Sequence, residues 1–353
     1  MPPSLDPPPL VWALLGHRAG DNAQIRALAE ALTWPVETKQ LEWRRPWPLW
    51  SPLYGRRRSL APLTPVARDA LGPPWPDLVV AIGWRSVPVA NWIAAQKDAA
   101  QVHLGRPRAP FEAFDLILTT PQYGLPPAPN VVRLPGPVGG PDMAAIAAAG
   151  DSWQPRLAHL PRPWIAVLVG GSAPPLTFGA ADGARLGKAV SAMARAQGGT
   201  LLVATGPRTD PAAAAALTAR IDGPAHLFRW DRPGDENPYL AYLALADAFV
   251  VTGDSISMMH EASRMARPLH VFPLRRRIPA LLPPLDNLPG VATLRRQGLV
   301  RAPRRAEAFA AALIADGRAV RLGDPWSGPP PLQPPDPLDQ AVRAVHEMMQ
   351  RRH

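Results

Sequence analysis

Short apolar runs alternate along this chain with segments whose apolar residues recur every three or four positions. The first run, Leu10 to Leu15, reads as a buried strand. Ile25, Leu28, Ala29 and Leu32 then follow at helical spacing. Asp21 with Gln24 has the pattern of a capping box, so a helix is expected to begin at Asp21. Strands are predicted at Val36 to Leu41, Asp77 to Gly83, Gln101 to Leu104, Asp115 to Thr119 and Asn130 to Leu134. A helix is predicted over Ser86 to Gln96, with Pro88 in its first turn, where Pro is tolerated.

The pattern breaks over 136–162, which is rich in Gly, Pro and Ala and reads as an interdomain linker. A second series then predicts strands at Trp164 to Val169, Thr200 to Thr205, His226 to Trp230, Ala248 to Thr252 and Pro268 to Phe272. The helices between and after them are expected at Ala180 to Gln197, Pro211 to Arg220, Pro238 to Leu245, Ser255 to Ala266, Leu288 to Gln297 and Arg304 to Asp316. Alternating strands and helices predict parallel sheets with helices on both faces. The fold class expected is α/β, with two Rossmann-like domains, 1–135 and 163–322, facing across a cleft. Residues 323–353 read as an extended tail and a helix from Leu338 to Arg351. Its face of Ala341, Val342, Val345 and Met348 must be covered, and it is expected to cross back to the first domain.

The strongest candidate for chemistry is the junction Val250-Val-Thr-Gly-Asp-Ser-Ile-Ser-Met-Met-His-Glu-Ala262. A β-branched run ends in small polar residues and a helix starts at once. A helix start presents unpaired N–H groups and the positive end of the helix dipole, which suit an anion such as phosphate. Gly253, Asp254, Ser255, Ser257 and Met258 are therefore candidate ligand residues. Glu261, six residues beyond Ser255, is placed to reach the sugar hydroxyls of a nucleotide whose phosphates sit at the turn. An ordinary capped helix reads equally well from this stretch alone.

Three more loops of the second series follow strands. Gly170-Gly171-Ser172 lets backbone approach a ligand closely, or simply turns the chain. Arg208 can clamp a phosphate or lie solvated on the surface. Asn237 can contact a base, though capping the helix that follows is the plainer role. In the first series, Arg18-Ala19-Gly20-Asp21 follows a strand and offers Arg18 and Gly20 to a ligand. Asp21 is either a general base toward an acceptor hydroxyl or a capping carboxylate. Arg85, in Gly83-Trp84-Arg85-Ser86, ends another strand. Neither a G-x-G-x-x-G fingerprint nor a Walker A sequence is present.

Composition narrows the chemistry. The net charge of +10 favours an anionic partner without choosing among polyanion, anionic membrane surface and phosphorylated substrate. No cysteine is present, which removes disulfides, thiolate catalysis and Cys-based zinc sites. The eight His are scattered without a His-x-x-x-His pair, so no metal and no cofactor is expected. No run is long enough to span a membrane, and a cytoplasmic chain, peripheral at most to the inner face of the membrane, is expected. The segment Trp43 to Arg58 mixes tryptophans with arginines. It suits an anionic membrane interface, or packs its tryptophans on the domain. No nucleic-acid module is recognised, and no nucleic-acid partner is expected.

Val251-Thr-Gly-Asp-Ser-Ile-Ser-Met-Met-His-Glu-Ala262, Asn237-Pro-Tyr239, Arg18-Ala-Gly-Asp21 and Pro76-Asp-Leu-Val-Val-Ala-Ile-Gly83 occur in the order seen in the mitochondrial fission "elongated mitochondria" family. The chain resembles that family, including its bacterial members, over roughly Leu10 to Arg301. The family in turn is similar to GT-B glycosyltransferases. The resemblance implies a nucleotide-sugar donor in the second domain, with Glu261 on the ribose, and a final helix returning to the first domain. Plant members, linked to recruiting a dynamin-related protein, imply an alternative: a non-catalytic binding or recruitment protein. A sugar-nucleotide epimerase is a weaker alternative. Two motifs depart from the family pattern: Gly206-Pro207-Arg208-Thr209 has one Arg where an Arg pair is usual, and Gly83-Trp84-Arg85-Ser86 replaces Gly-Arg-Arg-Ser. The leading expectation is a GT-B-like glycosyltransferase or close relative, with Asp21 as base, Arg208 offsetting charge on the leaving diphosphate, and a membrane-proximal acceptor.

Overall fold

The computed structural model describes residues 7–44, 53–232, 234–277, 290–301, 303–326 and 335–352. In chain order its strands and helices are β1 (Val11–Leu15), α1 (Ala19–Ala31), β2 (Val36–Gln40), α2 (Pro65–Asp69), β3 (Leu78–Ile82), α3 (Val87–Lys97), β4 (Ala100–Leu104), β5 (Leu116–Thr119), β6 (Val131–Arg133), α4 (Met143–Leu157) and β7 (Trp164–Gly171). There follow β8 (Leu176–Thr177), α5 (Ala180–Gln197), β9 (Thr200–Arg208), α6 (Pro211–Thr218), β10 (Ala225–Phe228), α7 (Tyr239–Leu245), β11 (Ala248–Thr252) and α8 (Ile256–Arg264). The chain ends with β12 (Leu269–Phe272), β13 (Arg275–Arg276), α9 (Val291–Arg296), α10 (Ala306–Ala315), β14 (Val320–Arg321) and α11 (Pro337–Arg352). The chain divides into two compact units: 1–139 with 282–305 and 335–353, and 140–281 with 306–334.

The first unit holds a six-stranded sheet in the order β2-β1-β3-β4-β5-β6, parallel throughout. The chain runs outward from β1 to β2, then crosses to β3 on the other side of β1. The strand order therefore reverses between β1 and β3. Each central strand is buried on both faces, which is why it reads as an unbroken apolar run. One face packs Ile25 and Leu28 of α1 and Leu32 just after it together with Val345 and Met349 of α11. The other packs Ile93 of α3 with Trp12 and Leu63. The amphipathic stripe of α11 thus lies in the first unit, where its sequence placed it. Arg352, in its last turn, pairs with Asp98 at 2.9 Å and with Asp115.

The second unit repeats the design in the order β10-β9-β7-β11-β12-β14, again parallel. Counted from its first strand this is the 3-2-1-4-5-6 order of a dinucleotide-binding Rossmann sheet, reversing between β7 and β11. Both units are Rossmann-like α/β folds.

Several elements differ from the sequence expectation. Helix α1 begins at Ala19, not Asp21, because Arg18 is the extended residue before it (φ −99°, ψ 114°). The Asp21–Gln24 capping box does not form. Asn22 closes the loop instead, its side chain accepting from the Gly16 N–H at 2.8 Å and donating to the Gly16 carbonyl at 2.9 Å. Within 136–162, expected as a linker, lies the 15-residue helix α4, capped by Asp142. Its Ala-rich sequence masks the buried Ile146, Trp153 and Leu157, and Gly150 lets α7 approach so closely that a Cβ there would meet that of Ala244 at 2.8 Å. Strand β9 runs on to Arg208, where a register shift at β7 pairs Gly171 with Arg208. The short elements α2, β8, β13 and β14 had no legible pattern.

Candidate functional site

Open parallel sheets bind ligands beyond the carboxyl ends of their strands where the strand order reverses. In the second unit that point lies between the ends of β7 and β11, the Gly170–Gly171 and Thr252–Ser255 segments. These two ends are bonded together: the Gly170 N–H donates to Thr252 Oγ1 at 2.8 Å. Gly170 must be glycine, since a Cβ would lie 2.5 Å from Asp254 Oδ2. Gly171 has φ +124°, and a Cβ there would fall 2.1 Å from the Arg208 carbonyl. The glycines thus serve close packing of β7 on β9 and β11. Thr209 completes the packing, its hydroxyl donating to the Val169 carbonyl at 3.1 Å and accepting from the Gly206 N–H at 3.0 Å.

The Asp254 side chain is wholly buried and takes a hydrogen bond from Arg208 Nη2 at 3.0 Å. Burial raises its carboxyl above the ordinary value. The Thr252 hydroxyl, Arg208 and the N–H groups of Asp254 and Gly171 pull in the opposite direction. Asp254 is therefore an internal brace that anchors Arg208, rather than a side chain open to a ligand. Arg208 keeps 48% of its side chain exposed and still presents charge at the sheet edge.

The backbone donors divide sharply. The Gly253 N–H is taken by the Phe272 carbonyl at 2.9 Å, that of Ser255 by Thr252 at 3.3 Å, and that of Gly170 by Thr252 as above. Of the candidate ligand residues at the junction, Gly253 and Ser255 thus spend their N–H groups internally. Helix α8 then begins at Ile256 with no side-chain cap from Ser255. Its first intrahelical bond runs from the Met259 N–H to the Ser255 carbonyl at 3.0 Å. The N–H groups of Ile256, Ser257 and Met258 are the helix donors without an intrahelical acceptor. Ser257 is exposed, and Met258 is half-buried against Gly206.

Glu261 lies one turn beyond Ser257 on the same face of α8. The rise between them is about 6 Å. Its Oε2 accepts from the Tyr239 hydroxyl at 2.5 Å. Burial raises the Glu261 carboxyl, opposed by that bond and by Arg264. Tyr239 is half-buried, and the burial of its hydroxyl together with Glu261 holds that hydroxyl well above the usual range. Asn237 Oδ1 accepts from the Tyr239 N–H at 3.0 Å, although the residue that immediately precedes the helix is Pro238 and not Asn237 as expected. Ser172 is exposed, with its hydroxyl accepting from the Phe178 N–H at 3.0 Å to close the loop before α5.

In the first unit the strand order reverses between β1 and β3, and Arg18 and Asp21 come together there. Arg18 and Gly20 are exposed at the start of α1, with Asp21 in its first turn. Burial raises the Asp21 carboxyl, opposed by Arg18, Arg304 and His17. Arg85 stacks at 5.7 Å on Trp84 at the end of β3. Of the Trp43 to Arg58 segment, residues 45–52, with Trp47 and Trp50, lie outside the described residues. Trp43 bridges to Leu63 and packs on the core, and Tyr54 is buried. No group of side chains fit to hold a metal ion is found among the described residues. No described helix is long and apolar enough to cross a membrane.

Residues 19–352 match the family model described as Mitochondrial fission ELM1. The chain belongs to the mitochondrial fission ELM1 family. It is 25% identical over 233 residues to the mitochondrial fission protein ELM1 of Arabidopsis thaliana, a match covering 58% of this chain and 53% of that protein. The chain thus spans about half the length of that plant relative. It is 21% identical over 301 residues to the uncharacterized protein RP120 of Rickettsia prowazekii, covering 74% of this chain and 82% of the other. Two solved structures with overall similarity are a Neisseria meningitidis UDP-GlcNAc 2-epimerase bound to UDP-GlcNAc and Medicago truncatula UGT71G1 complexed with UDP-glucose. The first has TM-score 0.47 and 12% identity, covering 97% of this chain and 100% of the other. The second has TM-score 0.48 and 11% identity, covering 97% and 92%.

Within this ELM1-family chain, reading the sequence missed Tyr239 as the partner of Glu261 and Asp254 as the anchor of Arg208. It also passed over Arg106, Arg108, Arg301 and Arg304, which reach the same end of the first sheet as Arg18. The segment Gly105-Arg106-Pro107-Arg108 directly after β4 carried a signal, because a Gly at φ +92° turns the chain there at a strand end.

Proposed function

We propose that this protein binds a nucleotide sugar at the carboxyl edge of its second unit and transfers the glycosyl group to an acceptor hydroxyl. The observation that carries this is the uncapped first turn of α8, one helical turn from a carboxylate held by Tyr239. The donor diphosphate rests on the N–H groups of Ile256, Ser257 and Met258, where the helix dipole favours negative charge. Glu261 accepts from the ribose hydroxyls, and Tyr239 fixes its orientation. The spacing suits a nucleoside diphosphate, whose ribose lies several ångström from its phosphates. Arg208, anchored by Asp254, offsets charge on the diphosphate as it leaves.

In the reaction the acceptor oxygen bonds to the anomeric carbon as the bond from that carbon to the diphosphate oxygen breaks. The acceptor proton passes to a base, and the nucleoside diphosphate departs. Asp21 of the first unit is the base in this reading. Burial raises its carboxyl, opposed by Arg18, Arg304 and His17, which makes it a better proton acceptor than an ordinary aspartate.

The test is thermal stability with UDP, GDP, ADP and CMP. At least one nucleoside diphosphate is expected to raise the melting temperature. Ser257→Asp, an exposed substitution that places a negative charge on the phosphate position, is expected to abolish the shift, as is Glu261→Ala. The absence of a shift with all four nucleotides sinks the reading. A second reading, binding without transfer, is favoured by one observation: three N–H groups of the expected anion site are already engaged internally. Nucleotide binding with no sugar release or transfer, in wild type and Asp21→Asn alike, would select it.

A further inference from the structure

Six arginines from four separate stretches of chain gather around the carboxyl edge of the first unit's sheet. Arg18 follows β1, Arg85 follows β3, and Arg106 and Arg108 follow β4. Arg301 and Arg304 come from the segment between α9 and α10. Two anchors fix that segment over the ends of β4 and β5. Gly298 lies so close to Ala109 that a Cβ would be 2.5 Å from its Cα, and the Arg305 N–H donates to the Gln122 carbonyl at 2.8 Å. Aromatic rings lie against three of the other side chains. Arg106 lies 5.5 Å over Tyr123, and Arg85 and Arg108 each lie 5.7 Å from the Trp84 ring.

Five of these cations, Arg18, Arg106, Arg108, Arg301 and Arg304, lie within one another's electrostatic reach. Burial, then Arg301, Arg304 and Arg18, push the Arg106 guanidinium down to about 10, with Tyr123 opposing. Arg301 is lowered by burial, Arg108 and Arg18. Arg106 remains charged at neutral pH. Asp21 is the carboxylate that shares this environment. Guanidinium groups this close repel, and the cost is largest where they are partly desolvated. A multiply charged anion converts that repulsion into binding. Planar guanidinium forks match the oxygens of phosphate bidentately, which an array of lysines would not do. The place is also right, since the first sheet's order reverses at the end of β1.

We propose that the carboxyl edge of the first unit is a second anion site, which takes the phosphate or diphosphate group of a phosphorylated acceptor. The acceptor role rests on the transfer reading above, whereas the anion site stands without it. Bound there, the phosphate group offsets the arginines around Asp21, and the acceptor's hydroxyl is presented beside the candidate base. The phosphate can belong to a soluble metabolite or to a lipid headgroup.

The experiment is calorimetric titration of the full chain with inorganic pyrophosphate, and co-sedimentation with phosphatidylcholine vesicles with and without phosphatidic acid. Four proteins are compared: wild type, Ser257→Asp, the single variant Arg301→Gln, and Arg106→Gln/Arg301→Gln/Arg304→Gln. Ser257→Asp removes only the α8 position, so pyrophosphate is expected to keep its first-unit site in wild type and Ser257→Asp, to bind that site about tenfold more weakly in the triple variant, and to an intermediate degree in Arg301→Gln. Arg301 is exposed, so its substitution keeps the test valid should the triple variant melt early. Binding of pyrophosphate assigns a soluble source. Capture only by phosphatidic-acid vesicles, lost in the arginine variants, assigns a lipid source and supports the site equally. The proposal is overturned by unchanged binding in the arginine variants, by binding lost in Ser257→Asp, or by no binding of either probe. A nucleotide shift absent from every protein would sink the transfer reading alone and leave the pyrophosphate result standing.

Discussion

At the reversal point of the second sheet, two glycines let β7 lie against Asp254 and the Arg208 backbone, and the buried carboxylate is paired with the Arg208 guanidinium. At the reversal point of the first sheet, arginines cluster around Asp21, and a Cβ on either glycine of the loop, Gly16 or Gly20, would meet nothing. The same topology therefore carries two kinds of edge. The second is braced from within, its polar groups mostly satisfied, and it leaves one helix turn, half of Arg208 and a half-buried Glu261 to meet a ligand. The first gathers arginines, three of them against aromatic rings. Chemical likeness between two strand–turn–helix loops says little about which residues are structural and which are available.

Glycine substitutions break this comparison most sharply. Gly171→Ala introduces both a strained positive φ and a Cβ 2.1 Å from the Arg208 carbonyl. A loss of about 3 kcal/mol or more in chemical denaturation is expected. Asp254→Ala removes the buried partner of Arg208 and is expected to cost about 2 kcal/mol, less than for a fully buried pair because Arg208 can turn to water. If Asp254→Ala melts like wild type, the brace assigned to this ion pair is wrong.

A pH experiment sharpens the likeness between the units. Each has a deeply buried histidine, His103 in the first and His260 in the second, pushed down to about 3 by burial, aided in His260 by Arg264 and Arg318. Both imidazoles are neutral in the folded protein at pH 7. Below about 6.5 the unfolded chain binds protons that the folded chain refuses, so stability falls as pH drops from about 6.5 toward 3. The carboxyls of Asp21, Asp254 and Glu261 are raised and act in the opposite sense: their contribution is present at low pH and is lost as pH rises through the folded value. Comparing wild type with His260→Phe isolates the histidine. Relative to its value at pH 8, the stability difference should move in the variant's favour by about 1.4 kcal/mol at pH 5.5. An equal shift is expected for His103→Phe in the first unit.

The smallest effect is the most discriminating for the first edge. Gly20 sits in the first turn of α1, where a Cβ would find no neighbour within 4 Å and φ is not positive. Gly20→Ala should leave stability unchanged or raise it by about 0.5–1 kcal/mol through helix propensity. If the same variant weakens pyrophosphate binding, the ligand approaches the backbone of α1 itself. If binding is unaffected, the arginine side chains carry the site.

The sequence by itself determined the alternation of strand and helix, because strands buried on both faces must be apolar throughout and covering helices must be striped. The unbroken Val11–Leu15 and Leu78–Ile82 runs and the face of α11 are legible for that reason. The junction before α8 and its Glu261 were legible as well, since they follow one another in the chain. Helix α4 was hidden because alanine packs well without announcing a stripe, and its Gly150 makes sense only against α7. Only the tertiary structure decided which junction N–H groups are spent on Phe272 and Thr252, that Asp254 faces Arg208, and that Tyr239 holds Glu261. It alone brought Arg18, Arg106 and Arg301 together. Hydrogen bonds and charge clusters depend on distance in space, and these partners come from distant parts of the chain, where local periodicity carries no record of them.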